Sequence, residues 1–266
     1  MRGVRANTPS LCYPFPMLTL SIITVVRNNP LVAQALESVL SQQGVRVQSI
    51  VVDGASTDAT LAELEPFKPR LAHFVSEPDK GIYHAMNKGL DAAEGDVVGI
   101  LNADDVYEDA AVLADVAQAF EQDPALMCLH GDLAYTRAND MAKVLRDWRS
   151  RPFAPGAFAR GWMPPHPSFF ARRQAFIDHG VYDTRYKVAA DFELMLRFLE
   201  SRQLKSRHLA RRMVRMRWGG ASNQSAASVL LANRECWQAC QVHGLKPGPF
   251  WWFMARKVGS KLGQWL

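Results

Sequence analysis

Long hydrophobic runs are missing from this 266-residue chain, and no stretch approaches the roughly 20 apolar residues that cross a bilayer. Cysteine is scarce. The four present, Cys12, Cys128, Cys236 and Cys240, show no paired metal-ligand spacing, and the last two fall one helical turn apart in an apolar pattern. They read as reduced thiols, which excludes a disulfide-stapled scaffold and points to a cytoplasmic setting. Residues 1–16 lack the apolar core of a signal peptide, because Arg2 and Arg5 are followed by polar and Pro-rich sequence. They are expected to form a disordered leader. Glycine is absent from the first strand-to-helix turn, Arg27-Asn28-Asn29-Pro30, which argues against a dinucleotide fingerprint and a P-loop. Acids nearly vanish after residue 204. From Lys205 onward eleven Lys/Arg face the single acid Glu235, a balance of +10 that leaves −5 for the rest of a chain whose total is +5. That basic third also holds five of the seven tryptophans, Trp218, Trp237, Trp251, Trp252 and Trp265. Basic and aromatic together fit nucleic acid and a membrane interface alike.

What is abundant is alternation. Leu18 to Val26 is a β-branched, buried-strand pattern, followed by an N-cap at Asn28 or Asn29, Pro30 at the first helical position, and Leu31, Ala35, Leu36, Val39 and Leu40 at helical spacing. Strand patterns recur at 47–52, 71–76 and 97–101, separated by helical ones. This order implies βαβ units and a mainly parallel sheet, an α/β fold. Asp53, Asp79 and the pair Asp104-Asp105 each follow a strand, so right-handed crossovers bring them to one edge, where open α/β sheets bind ligands. Beyond a helix near 110–122, strands are expected near 126–136, 143–149, 168–171 and 207–217. A helix closes at Gly180, another opens at Ala189-Ala190-Asp191, and further helices end the chain.

Individually these turns are ambiguous. Asp104-Asp105 fits a hard divalent cation and a helix cap equally. Asp53-Gly54 can accept a nucleobase proton while glycine permits close approach, yet an ordinary capped turn looks the same. Asp191 fits a general base and an N-cap, and Glu193 is its rival, although residues two apart on a helix face different ways.

Taken in order, Ser21-Ile-Ile-Thr-Val-Val, Asp53-Gly-Ala-Ser-Thr-Asp58, Glu77-Pro-Asp-Lys-Gly-Ile-Tyr83, Met86-Asn-Lys-Gly89 and Leu101-Asn-Ala-Asp-Asp105 resemble the family 2 glycosyltransferases of GT-A fold, in the bacterial branch that builds cell-surface polysaccharide. The resemblance implies a catalytic domain over 17–224 and a C-terminal helical extension over 225–266. It implies inverting sugar transfer from a nucleotide-diphosphate donor, UDP favoured, to a glycan or polyprenyl-linked acceptor, with Mn²⁺ or Mg²⁺ as cofactor. Asp53 would contact the base, beside Val26, Arg27 and Asn28; Lys80, Asn87, Asn102, Ala103 and Asp105 would complete the donor site. Asp104, supported by Asp105, would hold the metal. Asn102 stands where many relatives carry another acid, and His84 replaces a common aspartate. Asp191 would be the base, with His166, Glu193, His84 and Trp218 toward sugar or acceptor. Trp218-Gly219-Gly220-Ala221-Ser222 would be a loop closing over diphosphate, with Arg215 and Arg217 offsetting its charge. The tail reads as an interfacial helix on anionic lipid at the inner face of the cytoplasmic membrane, rather than a nucleic-acid surface; a homodimer surface or a packed terminal helix are its other readings. A sugar nucleotidyltransferase or a non-catalytic polysaccharide-assembly protein are the rival functions; the first is disfavoured by the glycine-free first turn.

Overall fold

A computed structural model describes residues 18–219 and 226–262. The expected leader, Gly220 to Ser222, and Trp265 lie outside the described residues. The strands are β1 (Thr19–Val26), β2 (Arg46–Asp53), β3 (His73–Ser76), β4 (Val97–Ile100), β5 (Val106–Tyr107), β6 (Cys128–Arg137), β7 (Asp140–Trp148), β8 (Phe169–Arg172) and β9 (Ser206–Arg217). The helices are α1 (Val32–Leu40), α2 (Thr60–Leu64), α3 (Ile82–Asp91), α4 (Val112–Gln122), α5 (Arg173–His179), α6 (Ala190–Leu196), α7 (Ala226–Val242) and α8 (Phe250–Leu262).

One sheet runs β3-β2-β1-β4-β8-β6-β9-β5, with β7 paired to β6. Its first half is parallel throughout, as β-branched runs buried on both faces should be. The second half mixes directions: β8 is antiparallel to both β4 and β6, β7 to β6 and β5 to β9, while β6 and β9 are parallel. The chain steps outward from β1 to β3 and then returns to place β4 on the other side of β1. The crevice where order reverses therefore opens at the carboxyl ends of β1 and β4.

Alternate residues of β1 feed different layers. Leu20 and Ile22 pack with α1 and α4, whereas Ile23 and Val25 pack with α3, α6 and α7. Close approach decides two glycines. A Cβ at Gly89 would collide with Ile23, and one at Gly99 with the Phe170 ring. Helix α1 starts at Val32, later than expected. Asn29 instead accepts the Leu31 N–H at 3.2 Å through Oδ1, so Pro30 sits in a turn ahead of the helix. The C-terminal helices share the central core: Cys236, Ala239, Cys240 and Phe253 join the layer of Ile23 and Phe192. Cys128, Cys236 and Cys240 are free and buried, matching the reduced-thiol reading.

Candidate active site

Two turns are stitched together at the crevice. Asn28, in left-handed conformation at φ 49°, donates its N–H to Ser56 Oγ at 2.8 Å and accepts the Thr57 N–H at 2.8 Å. Gly54 donates to the Val26 carbonyl at 2.8 Å. Asp53 is fully buried. Its carboxylate accepts Ser56 N–H at 3.0 Å, Ser76 Oγ–H at 2.6 Å and the Ser56 hydroxyl, so its oxygens are engaged within the fold. Asp79 carries an unpartnered oxygen at this edge. Its Oδ1 pairs with Lys88 at 2.6 Å and with His84 at 3.0 Å, while Oδ2 is buried without a partner. A Cβ at Gly54 would press on that Oδ2 and on the Arg27 stem at 3.3–3.4 Å, so Arg27, Gly54 and Asp79 form one slot.

Beyond β4 the acid pair splits. Asp104 is half-buried at the strand end. Asp105 turns inward, wholly buried, and accepts Asn102 Nδ2–H at 2.9 Å on one oxygen while the other is unpartnered. Burial, and then the charge of Asp104, push the Asp105 carboxyl up to about 8 against the opposing pull of Asn102 and Arg217. Asp105 is thus enclosed and presents no exposed oxygen to a cation, against the expectation that it shares the metal. Among the described residues, no three metal-ligating side chains cluster. One half-exposed carboxylate suits a hard ion whose remaining ligands come from substrate phosphates and water.

A cavity of about 710 Å³ extends from Asn102 past Tyr83 and His166 to Asp191 and Trp162. Asp191 stands in the first turn of α6, whose N-cap is Ala189, so the cap reading does not apply to it. The segment before the helix is held from elsewhere. Glu235 of α7, buried, accepts the N–H groups of Lys187, Val188 and Ala189, each at 2.9 Å, and fixes the loop leading into α6. The Tyr83 hydroxyl proton is shared between the Val188 carbonyl at 2.8 Å and Asp191 Oδ1 at 3.2 Å. Burial first, then the Asp191 charge, hold that phenol well above its ordinary pKa, so it remains a donor. Tyr83 stacks on Tyr182 with centroids 5.7 Å apart, and the Tyr182 hydroxyl meets His166 Nε2 at 2.8 Å. Burial lowers the His166 pKa although Asp191 opposes the shift, so the ring stays neutral.

The family model for glycosyl transferase family 2 matches residues 21–182. The chain belongs to glycosyl transferase family 2. This family 2 chain is 29% identical over 204 residues to a PGL/p-HBAD biosynthesis glycosyltransferase of Mycobacterium bovis, covering 73% of this chain and 74% of the relative. It is 31% identical over 182 residues to an uncharacterised glycosyltransferase of Mycobacterium tuberculosis, covering 67% and 68%. Among solved structures it resembles S. aureus TarS 1-349 in complex with UDP-GlcNAc, with TM-score 0.63, 15% identity and 92% and 73% of the two chains covered. It also resembles a Pyrobaculum calidifontis mannosyltransferase in complex with GDP-Man and Mn²⁺, with TM-score 0.61, 19% identity and coverage of 93% and 75%. The fold of these glycosyltransferases is the fold of this chain.

Several expected site residues of this glycosyltransferase lie elsewhere. Glu193 faces away from the cavity, pairing with Arg197 at 3.0 Å and His243 at 2.8 Å. Burial works to raise its pKa, yet His243 and Arg197 together hold it below the ordinary value. Asn87 spends its amide on the Tyr182 backbone, donating at 2.9 Å and accepting at 3.0 Å, so it braces the Tyr182 loop rather than the donor. Lys80 is exposed, and His84 turns to Asp79 off the cavity wall. Arg215 is clamped on Glu108 by two bonds of 2.8 Å, and Arg217 bonds Ala138 O and Gln34, so neither reaches for phosphate in this structure. Trp218 is off the cavity, its edge on Tyr135 at 5.4 Å; Gly219 has φ 111° with open space around it. Asp79, Tyr83 and Tyr182 went unassigned in the sequence, although the first two stand inside a quoted motif. Glu235 was visible only as an isolated acid in a basic tail.

Proposed function

We propose that the chain is an inverting glycosyltransferase that moves a sugar from a nucleotide-diphosphate donor, UDP favoured, to a glycan or polyprenyl-linked acceptor in cell-surface polysaccharide biosynthesis. The observation that carries this reading is Asp191, a carboxylate on the cavity wall, in contact with the Tyr83 hydroxyl at the end of a loop that Glu235 anchors. Asp191 takes the acceptor hydroxyl proton as that oxygen bonds to the anomeric carbon. The bond from that carbon to the diphosphate breaks on the opposite face, releasing nucleoside diphosphate with no covalent enzyme intermediate. Arg27, Gly54 and Asp79 form the base slot. Here the unpartnered oxygen of Asp79, rather than engaged Asp53, accepts the base N–H. Asp104 would hold Mn²⁺ or Mg²⁺, which when bound neutralises the leaving diphosphate. Neighbours bound to UDP-GlcNAc, or to GDP-Man with Mn²⁺, support a nucleotide-sugar donor and a cation. Lid closure by Gly219 and Gly220 belongs to the same proposal.

Asp191→Asn tests it: sugar transfer falls by at least 100-fold while UDP affinity stays within twofold, a loss in the range for a general base. Unchanged turnover removes Asp191 as base. Asp79→Asn should weaken UDP binding more than Asp53→Asn does, measured on folded variants by calorimetry.

Peripheral attachment to the inner face of the cytoplasmic membrane is part of this reading. Trp251 and Trp252 on α8 are each 66% exposed beside Arg256, whereas Phe253 is buried, so the helix shows one face to solvent and one to the core.

A further inference from the structure

The cavity wall around Asp191 is strongly cationic. Arg149 and Arg151 from the segment after β7, Arg160 from the turn beyond it, Lys187 from the loop before α6 and Lys257 from α8 all line it. Asp191 is the one carboxylate on that wall among the described residues. Nearby acids are engaged elsewhere. Asp132 accepts the Ser150 N–H at 2.8 Å and contacts His208 at 2.8 Å; Asp147 binds Arg212 at 2.6 Å and reaches Arg149 only at 4.0 Å. Glu200 accepts the Gly156 and Phe158 N–H groups at 2.9 and 3.3 Å, and Glu235 is spent on the α6 loop. Arg149 with Arg151, Arg160 and Lys187 therefore deliver positive charge to one cavity from three separate chain segments, while these carboxylates engage other partners.

The donor does not account for this charge. Of the donor edge only Asn102 reaches the wall; Arg27, Gly54, Asp79 and Asp104 do not line it. The cations share the cavity with Asp191, apart from those donor-edge residues. Trp162 adds a flat apolar surface there, with the Arg151 guanidinium 6.0 Å from its ring, and His130 holds the Arg151 carbonyl at 3.0 Å. Guanidinium forks match phosphate oxygens in pairs, and several of them exceed what a lone carboxylate needs.

We propose that this wall is the acceptor subsite and that the acceptor carries a phosphate ester beside the hydroxyl that receives the sugar. The proposal rests on the reading of Asp191 as base. Phosphate lies on Arg149, Arg151 and Arg160, and the adjoining group packs on Trp162.

Full-length protein saturated with UDP is titrated calorimetrically with glycerol 1-phosphate and with octyl phosphate, against glycerol and octanol as neutral counterparts. The esters should bind and the neutral compounds should not, with affinity falling as salt is raised. Arg149→Gln/Arg151→Gln/Arg160→Gln should weaken ester binding at least tenfold and leave UDP affinity within twofold. Stronger binding of glycerol 1-phosphate identifies a glycan phosphate as the source, and stronger binding of octyl phosphate a lipid phosphate; either supports the subsite. Absence of ester binding, or ester binding untouched by the triple substitution, overturns it. A fall in UDP affinity in the triple variant also overturns it, because the wall would then serve the donor diphosphate. These binding outcomes are independent of turnover, so an active Asp191→Asn enzyme would sink the proposed base without deciding this subsite.

Discussion

Asp191 and Glu193 stand two residues apart on α6 and meet different surroundings, because a 3.6-residue period turns them to different faces. Asp191 reaches the cavity and the Tyr83 hydroxyl. Tyr83→Phe should lower kcat about fivefold, the equivalent of one net hydrogen bond of ~1 kcal/mol, while donor affinity is unchanged in steady-state and binding assays. Glu193 is buried against Arg197 and His243, so Glu193→Gln should cost stability, by about 3 kcal/mol on denaturant titration, with kcat retained in the folded fraction. His130 supplies a pH dependence. Burial first, then the neighbouring His208, lower its pKa to about 4 although Arg151 O and Asp132 oppose the shift. Between pH 6.5 and 4 the unfolded chain binds a proton that the folded one refuses, so stability falls with acidification, by about 3 kcal/mol at pH 4. In His130→Gln, denaturation measured across that window should show a flatter slope; an unchanged slope would refute this. The positions of Asp104 and Asp191 at element ends were legible because each sits where a strand or helix pattern begins or ends. The structural duties of Asn87 and Glu193 were not, because their partners Tyr182 and His243 lie on remote elements.

At the level of elements, the parallel half of the sheet was readable from its β-branched runs and intervening helices. Strands β6, β7 and β8 were expected near their observed places, but the antiparallel placing of β8 and the two-residue β5 were not, since pairing with β4 and β9 is fixed by tertiary contacts. Close packing of α3 on β1 gives a sharp check. Gly89→Ala places a methyl into Ile23 and should destabilise by about 1–3 kcal/mol, read by thermal melting. Helix α7 lines the cavity with Val229, Ala232 and Asn233 and holds the loop before α6 through Glu235. Glu235→Gln keeps two acceptor sites at most on its amide oxygen for three N–H groups, and should lower kcat more than it raises donor KM. Equal effects on both would assign Glu235 to stability only.

On the scale of the whole molecule, charge and aromatic surface are segregated: the basic third carries the exposed Trp251 and Trp252, and the remainder is net acidic. Trp251→Ser/Trp252→Ser should reduce flotation with anionic liposomes severalfold while leaving the melting temperature unchanged, because neither ring is in the core. Removing α8 is a poorer test, since it takes buried Phe253 with it. The Glu235 clamp also sets an order in time. Strands β1 to β4 are contiguous in the chain and leave the ribosome early, but the loop before Asp191 lacks its three bonds to Glu235 until α7 follows. A chain that ends before α7 can therefore assemble these strands and still lack part of what fixes the segment before Asp191.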